Sequence, residues 1–80
     1  MIAVAQADMF DISLKNKVSN REAEVLQLIS EGHTVKEIAS ALYLSEHTII
    51  SHKKNLTHKF DAKNCVDLIV KAIRLGFIVL

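Results

Sequence analysis

Apolar residues recur every three or four positions along most of this 80-residue chain, which is the spacing of amphipathic α-helices packed on a shared core. Strict alternation of apolar and polar residues, typical of half-buried strands, is almost missing. Four helices are predicted, and each begins at a residue whose side-chain oxygen can accept a hydrogen bond from a free backbone N–H. These N-cap residues are Ser19, Thr34, Ser45 and Asn64. The pattern therefore predicts an all-α fold of four helices.

The third predicted helix has two chemically different faces. It runs from the Ser45 cap to Phe60 without an intervening Gly or Pro. At about 100° per residue, one face collects the apolar core positions, and the opposite face carries no carboxylate. The core face consists of Ile49, His52, Leu56 and Phe60, and the opposite face consists of His47, Ser51, Lys54 and His58, flanked by Ile50 and Asn55. This second face is suited to contact an acidic partner such as nucleic acid.

The fourth predicted helix carries two apolar stripes, which is more than one small core requires. We assign the first stripe to the internal core; it consists of Val66, Ile69, Val70 and Ile73. The second stripe is rotated from it by more than a right angle and consists of Leu68, Ala72 and Leu75. We predict that this second stripe forms the contact of a weak two-fold homodimer. The alternative is that the N-terminal segment covers it.

Charge is divided unevenly between the two halves of the chain. The formal net charge is +1, but residues 1–44 contain four Lys or Arg and six Asp or Glu, whereas residues 45–80 contain six and three. The base-rich half includes the third helix. Nucleic-acid-binding domains are usually more basic overall, so charge supports this interpretation only weakly.

Several function classes find no support in the sequence. A Gly-rich phosphate loop, paired carboxylates in an apolar pocket and a nucleophile beside a base are all missing, so no enzyme is expected. The four histidines and the single Cys65 lack the spacing of metal ligands, and we expect neither a metal nor a cofactor. No run approaches the roughly 20 apolar residues that span a bilayer, and the N-terminus lacks a signal-peptide core. A cytoplasmic protein without a membrane partner is expected.

The second and third helices, joined by a short turn, form a helix-turn-helix, and a set of residues around them resembles the LuxR/GerE-type DNA-binding domain. The resemblance covers roughly residues 18–78. Its matching positions are Arg21-Glu22, Glu31-Gly32-His33, Lys36-Glu37-Ile38-Ala39, Leu42, Ser45, Thr48-Ile49, His52, Lys59, Ala62-Lys63-Asn64 and Gly76. The resemblance implies a bacterial transcription regulator whose third helix, 46–60, enters the major groove of double-stranded DNA and whose fourth helix pairs two copies.

The resemblance also implies which residues contact DNA. Base contacts fall at Ile50, Ser51 and Lys54, and phosphate contacts at Thr34, Lys36, Ser45, Thr48, Lys53, Lys59 and Lys63. Ile50 departs from the family, in which Lys is common, and can pack on a thymine methyl group instead of bonding a guanine. Two further departures are Cys65 in place of Arg, which implies lower DNA affinity, and Asp61 in place of Gly or Asn at a left-handed turn.

Structural alternatives exist for several of these residues. The caps satisfy helix ends whether or not they touch phosphate, Lys53 and Lys59 can form a solvated flank, and Ile50 can be an incidental exposed residue. Arg21 and Glu22 are expected to form internal contacts that hold the first helix. Residues 1–17 are an N-terminal extension to a domain at 18–80, either in a standalone GerE-like regulator or in a piece of a larger protein. The alternative function is a protein-interaction helix-turn-helix that acts on RNA polymerase or another regulator.

Overall fold

A computed structural model describes residues 17–78, which form four α-helices and no strand within that range. Helix α1 spans Asn20–Ser30, α2 spans Val35–Leu42, α3 spans Glu46–Lys59 and α4 spans Cys65–Arg74. The predicted all-α, four-helix fold is confirmed. The predicted N-terminal extension lies, except for its last residue, outside the described residues. The alternative in which that segment covers helix four lies outside them as well.

Local side-chain caps explain where α1 and α2 begin. Ser19 Oγ accepts the N–H of Glu22 at 3.1 Å, and Glu22 Oε1 accepts the N–H of Ser19 at 3.0 Å. The same reciprocal pair joins Thr34 and Glu37, at 3.2 and 2.8 Å. Each box satisfies two backbone N–H groups at a helix end, and loss of such a cap costs typically about 1 kcal/mol. Both predicted capping boxes are therefore confirmed.

The remaining helix boundaries follow from single caps and from left-handed turns. The side chains of Ser45 and Asn64 each accept a backbone N–H three residues later, which starts α3 and α4. Asp61, after α3, has φ 52°, so the predicted left-handed turn is formed by Asp in this chain. Tyr43, after α2, also lies in the left-handed region, with φ 56°.

Helix α3 lies at the centre of the packing and contacts the three other helices. Within residues 17–78 the buried side chains are hydrophobic apart from Glu22; the hydrophobic core consists of Val25, Leu26, Ile38, Ala39, Ile49, Leu56, Phe60, Leu68, Ala72 and Ile78. Full burial of a large aliphatic side chain contributes roughly 1.5–3 kcal/mol. Phe60 closes one end of this core by packing edge-to-face on Phe77, with ring centroids 5.1 Å apart.

The rotation of α4 about its own axis is opposite to the one that we predicted. Leu68 and Ala72 are 0% exposed and belong to the core, and Leu75 is partly buried against it. The exposed stripe consists instead of Val66 at 73%, Val70 at 40% and Ile73 at 38%. Both stripes satisfy helical periodicity, so the better packing decides between them. The small Ala72 lets the backbone of α4 approach its neighbours closely, and Leu68 fills the remaining space. The predicted dimer contact at Leu68, Ala72 and Leu75 is therefore wrong.

Candidate nucleic-acid interface

The core contacts of α3 determine which of its faces meets solvent. Ile49 and Leu56 are 0% exposed, which anchors one side of the helix against the core. The opposite side is exposed over its whole length and includes His47, Ser51, Lys54, Asn55 and His58. Ile50, at the edge of this side, is 52% exposed. The structure thus brings the three predicted base-contact residues, Ile50, Ser51 and Lys54, onto one accessible surface.

The size and charge of this surface suit the major groove. From His47 to His58 the helix rises roughly 17 Å at about 1.5 Å per residue, and the groove is about 12 Å wide, enough to admit an α-helix. Among residues 17–78 no carboxylate pairs with Lys54. Its ammonium group is therefore available to an external acceptor. Glu46, in the first turn, has the sign of charge that stabilises a helix N-terminus.

The N-terminal end of α3 presents polar groups beside this surface. Ser45 Oγ accepts the N–H of Thr48 at 3.1 Å and lies 2.8 Å from the Thr48 hydroxyl. The other first-turn N–H groups have no acceptor within the helix and attract anions, because the helix dipole is positive there. Ser45, which is also the cap, and Thr48 therefore lie beside free N–H groups that can attract an anion, and the exposed carboxylate of Glu46 shares this end of the helix and opposes phosphate as Glu37 does on α2.

The N-terminal end of α2 is less open to phosphate than we predicted. The backbone N–H of Thr34 already donates to Glu37 Oε1 at 2.8 Å. That hydrogen bond lowers the pKa of Glu37 below its ordinary value, so a carboxylate occupies the end of the helix at neutral pH. A carboxylate repels phosphate. Lys36, exposed one residue before Glu37, is the group at this end that can attract it.

Lys59 has an internal partner in place of the predicted phosphate. Its Nζ lies 2.7 Å from Glu22 Oε1 and 2.7 Å from the carbonyl oxygen of Lys17. Burial alone raises the pKa of Glu22, but hydrogen bonds from Lys59 and Ser19 together with the Lys59 charge outweigh burial and lower it. The pair joins the end of α3 to the start of α1 and confirms the internal role expected for Glu22. Because the Lys59 charge is already neutralised, we remove Lys59 from the phosphate contacts.

The two other lysines predicted to contact phosphate, Lys63 and Lys53, lie at least partly on the surface. Lys63 is exposed at the corner between α3 and α4, and its backbone N–H donates to Asp67 Oδ2 at 2.9 Å; that hydrogen bond and, to a smaller extent, the Lys63 charge lower the pKa of Asp67. Lys53 is half-buried on the flank of α3. Tyr43, which is not among the predicted contact residues, is 95% exposed at the turn between α2 and α3. The sequence feature that indicates an exposed position there is a large aromatic residue directly before Leu44 and the Ser45 cap.

The described part of the chain has no grouping of three or more His, Cys, Asp or Glu side chains suited to hold a metal ion. None of its helices combines the length and the apolar character needed to cross a bilayer.

Comparison with known proteins connects this geometry to one family. The family model described as GerE, bacterial regulatory proteins of the luxR family, matches residues 16–72. The response regulatory protein YgeK of Escherichia coli K12 is 45% identical over 64 residues, which cover 80% of this chain and 44% of YgeK. The spore germination protein GerE of Bacillus subtilis 168 is 37% identical over 62 residues, covering 78% of this chain and 84% of GerE. The chain thus spans less than half of YgeK but most of GerE.

Two solved structures are similar to this chain as well. The structure of the transcription factor GerE matches with a TM-score of 0.75 at 29% identity, over 78% of this chain and 92% of that one. The Vibrio cholerae VqmA dimer, a LuxR-type receptor in the absence of its target DNA, matches with a TM-score of 0.73 at 31% identity. That match covers 78% of this chain and 29% of the VqmA chain.

Proposed function

This chain belongs to the luxR family of bacterial regulatory proteins and carries its helix-turn-helix DNA-binding domain, and we propose that it reads a specific double-stranded DNA sequence to regulate transcription. The observation that supports sequence reading most strongly is the exposed face of α3, free of carboxylates between His47 and His58 and anchored by buried residues on its other side. We place this activity in the cytoplasm, where bacterial DNA is accessible.

In the proposed complex, α3 lies in the major groove. Lys54 donates to the O6 and N7 acceptors of a guanine, Ser51 hydrogen-bonds a base edge, and Ile50 packs on a thymine methyl group. Phosphate contacts come from the N-terminal end of α3 and from lysines on either side; these residues are Lys36, Ser45, Thr48, Lys53 and Lys63. Phosphate contacts supply most of the affinity on any duplex, and the base contacts provide the discrimination among sequences.

We further propose that two copies pair through the exposed stripe of α4. One side of that helix exposes the apolar side chains of Val66, Val70 and Ile73 to water. These exposed surfaces do not contribute to the core. VqmA, a structural relative, is a dimer. A two-fold contact along α4 would present two α3 helices to half-sites about 34 Å apart, one turn of DNA. A single helix pair buries less than the roughly 1,600 Å² of a standard stable interface, so the dimer is weak in the absence of DNA.

The experiment that tests DNA reading selects bound duplexes from a random pool and measures affinity for the selected site across salt concentrations. Lys54→Ala should weaken binding to the selected site by about 1–3 kcal/mol more than binding to an unrelated duplex. Lys71→Ala is the matched control, because it also removes one lysine charge but lies on α4, bonded to the Asp61 carbonyl. Equal loss on both duplexes would contradict base reading by Lys54. Affinity that does not depend on salt would favour the alternative of a protein partner such as RNA polymerase.

A further inference from the structure

Tyr43 is the most exposed of the large hydrophobic side chains in the described part of the chain. It is 95% exposed, compared with 73% for Val66 and 52% for Ile50. Within residues 17–78 its hydroxyl forms no hydrogen bond and its ring packs on no other aromatic ring. Because apolar stabilisation requires removal of surface from water, this side chain contributes little to the folded core.

The backbone conformation at Tyr43 is also unfavourable for a large side chain. The residue ends α2 in the left-handed region, with φ 56° and ψ 42°, and its N–H donates to the carbonyl of Ala39. Glycine or asparagine adopts this region more readily than an aromatic residue, because the Cβ atom approaches the following carbonyl oxygen. A residue that suits neither the local backbone nor the core is a candidate for a role outside the fold.

The place of Tyr43 in the chain indicates what its ring can reach. Leu44 follows it and packs against the core, and Ser45 then caps α3. Tyr43 therefore stands on the short turn that leads into the N-terminal end of α3, the end that the proposed function places against phosphate.

We propose that Tyr43 is a contact to the DNA sugar-phosphate backbone at the edge of the groove that receives α3. Its hydroxyl donates a hydrogen bond to a phosphate oxygen, and its ring covers the adjacent deoxyribose. This inference rests on the proposed DNA-binding function and adds a residue to it.

The chemistry of the surroundings favours DNA over a protein as the partner of this ring. A protein-docking surface is usually a contiguous apolar patch with a polar rim. Among the described residues the Tyr43 ring stacks on no other aromatic ring, and the next exposed side chains along the chain, those of the Ser45 cap and of Glu46 and His47 on α3, are polar. A phenol combines an apolar face with one hydroxyl donor, and tyrosine hydroxyls are among the side-chain groups that contact phosphate and sugar in protein–DNA complexes.

The test measures binding of the full chain to the selected duplex and to an unrelated duplex by fluorescence anisotropy over a range of salt. Tyr43→Phe removes only the hydroxyl and should weaken binding to both duplexes by about threefold, the effect of one exposed hydrogen bond. Tyr43→Gly removes the whole side chain and should weaken it by about tenfold. Neither variant should change the slope of log affinity against log salt, because tyrosine carries no charge. Lys63→Ala, the control for a charged phosphate contact, should reduce that slope by about one.

Stability provides a second measurement that separates contact from misfolding. Glycine suits the left-handed backbone, so Tyr43→Gly should raise the melting temperature while it lowers affinity. If the wild-type chain and Lys63→Ala behave as described but both Tyr43 variants bind like wild type, the backbone contact is wrong and the proposed function stands. A loss confined to the selected duplex would make Tyr43 a base reader and overturn the backbone contact. Normal DNA binding with lost transcriptional output in cells would assign the ring to a protein partner, against this inference. Failure of the wild-type chain to bind any duplex would overturn the proposed function itself.

Discussion

Replacement of Lys59 by Met tests the ion pair that joins the end of α3 to the start of α1. Methionine keeps most of the apolar stem of lysine but lacks the ammonium group, whose nitrogen lies 2.7 Å from Glu22 Oε1. Glu22 is 4% exposed and retains the N–H of Ser19 as a donor at 3.0 Å. The variant therefore leaves a buried carboxylate that is hydrogen-bonded only by Ser19 and has no compensating charge.

The expected cost follows from the exposure of the two partners. Removal of one member of a fully buried ion pair costs about 3–5 kcal/mol. The Lys59 side chain is 30% exposed, so solvent screens part of the interaction, and we expect a loss of about 1–3 kcal/mol in the free energy of unfolding. In a domain of this size each 1 kcal/mol lowers the melting temperature by roughly 4–8 °C. Adding Glu22→Gln to the Lys59→Met variant removes the uncompensated charge and should restore part of the loss.

The same pair predicts how stability depends on pH. The pKa of Glu22 in the folded chain is lower than its ordinary value of 4.5, so the pair stabilises the fold above that pH and the contribution disappears as the pH falls through the folded pKa. In Lys59→Met, the hydrogen bond and the charge of Lys59 no longer lower the pKa of Glu22, so that pKa should rise. The difference in stability between wild type and variant should therefore be largest near neutral pH and shrink in acid.

Thermal and urea unfolding followed by circular dichroism, from neutral pH down to about pH 3, measure both effects. DNA binding provides the complementary measurement. Because Glu22 already neutralises Lys59, the folded variant should keep the wild-type salt slope of DNA affinity. A variant as stable as wild type at neutral pH, with a salt slope reduced by about one, would refute this reasoning and return Lys59 to the phosphate contacts.

Two further predictions concern the proposed complex with DNA. Replacing the contacted thymine by uracil should weaken binding of the wild-type chain but not of Ile50→Ala, since only the wild type has a side chain that packs on the lost methyl; equal sensitivity in both proteins, measured by anisotropy, would exclude that contact. Val66→Glu and Val70→Glu should stay folded, because both residues are exposed, yet lose cooperative binding to a palindromic site; retained cooperativity in a gel-shift titration would place the dimer contact away from the α4 stripe.

Short-range features of this fold were predictable from the sequence. Each helix begins at a cap whose hydrogen-bonding partner lies three residues away, as with Ser19 and Glu22, so the local sequence contains both partners. The two faces of α3 were predictable as well, because the core positions such as Ile49 and Leu56 form a single stripe and the opposite face has no competing one. The family could be identified for the same reason, from an ordered set of positions within these helices.

Tertiary packing determined two features that the local sequence pattern does not determine. Helix α4 has two stripes of equal periodicity, and its rotation was settled by the fit of Leu68 and Ala72 against the other helices. The local sequence around Lys59 is that of a surface base, but the fold brings Lys59 to Glu22, 37 positions earlier in the chain. The first residue of a helix and the side that it buries depend on residues within about one turn of each other, so both can be predicted from the local sequence. Contacts between distant helices depend on how volumes and charges fit together in three dimensions, and only the assembled core determines them.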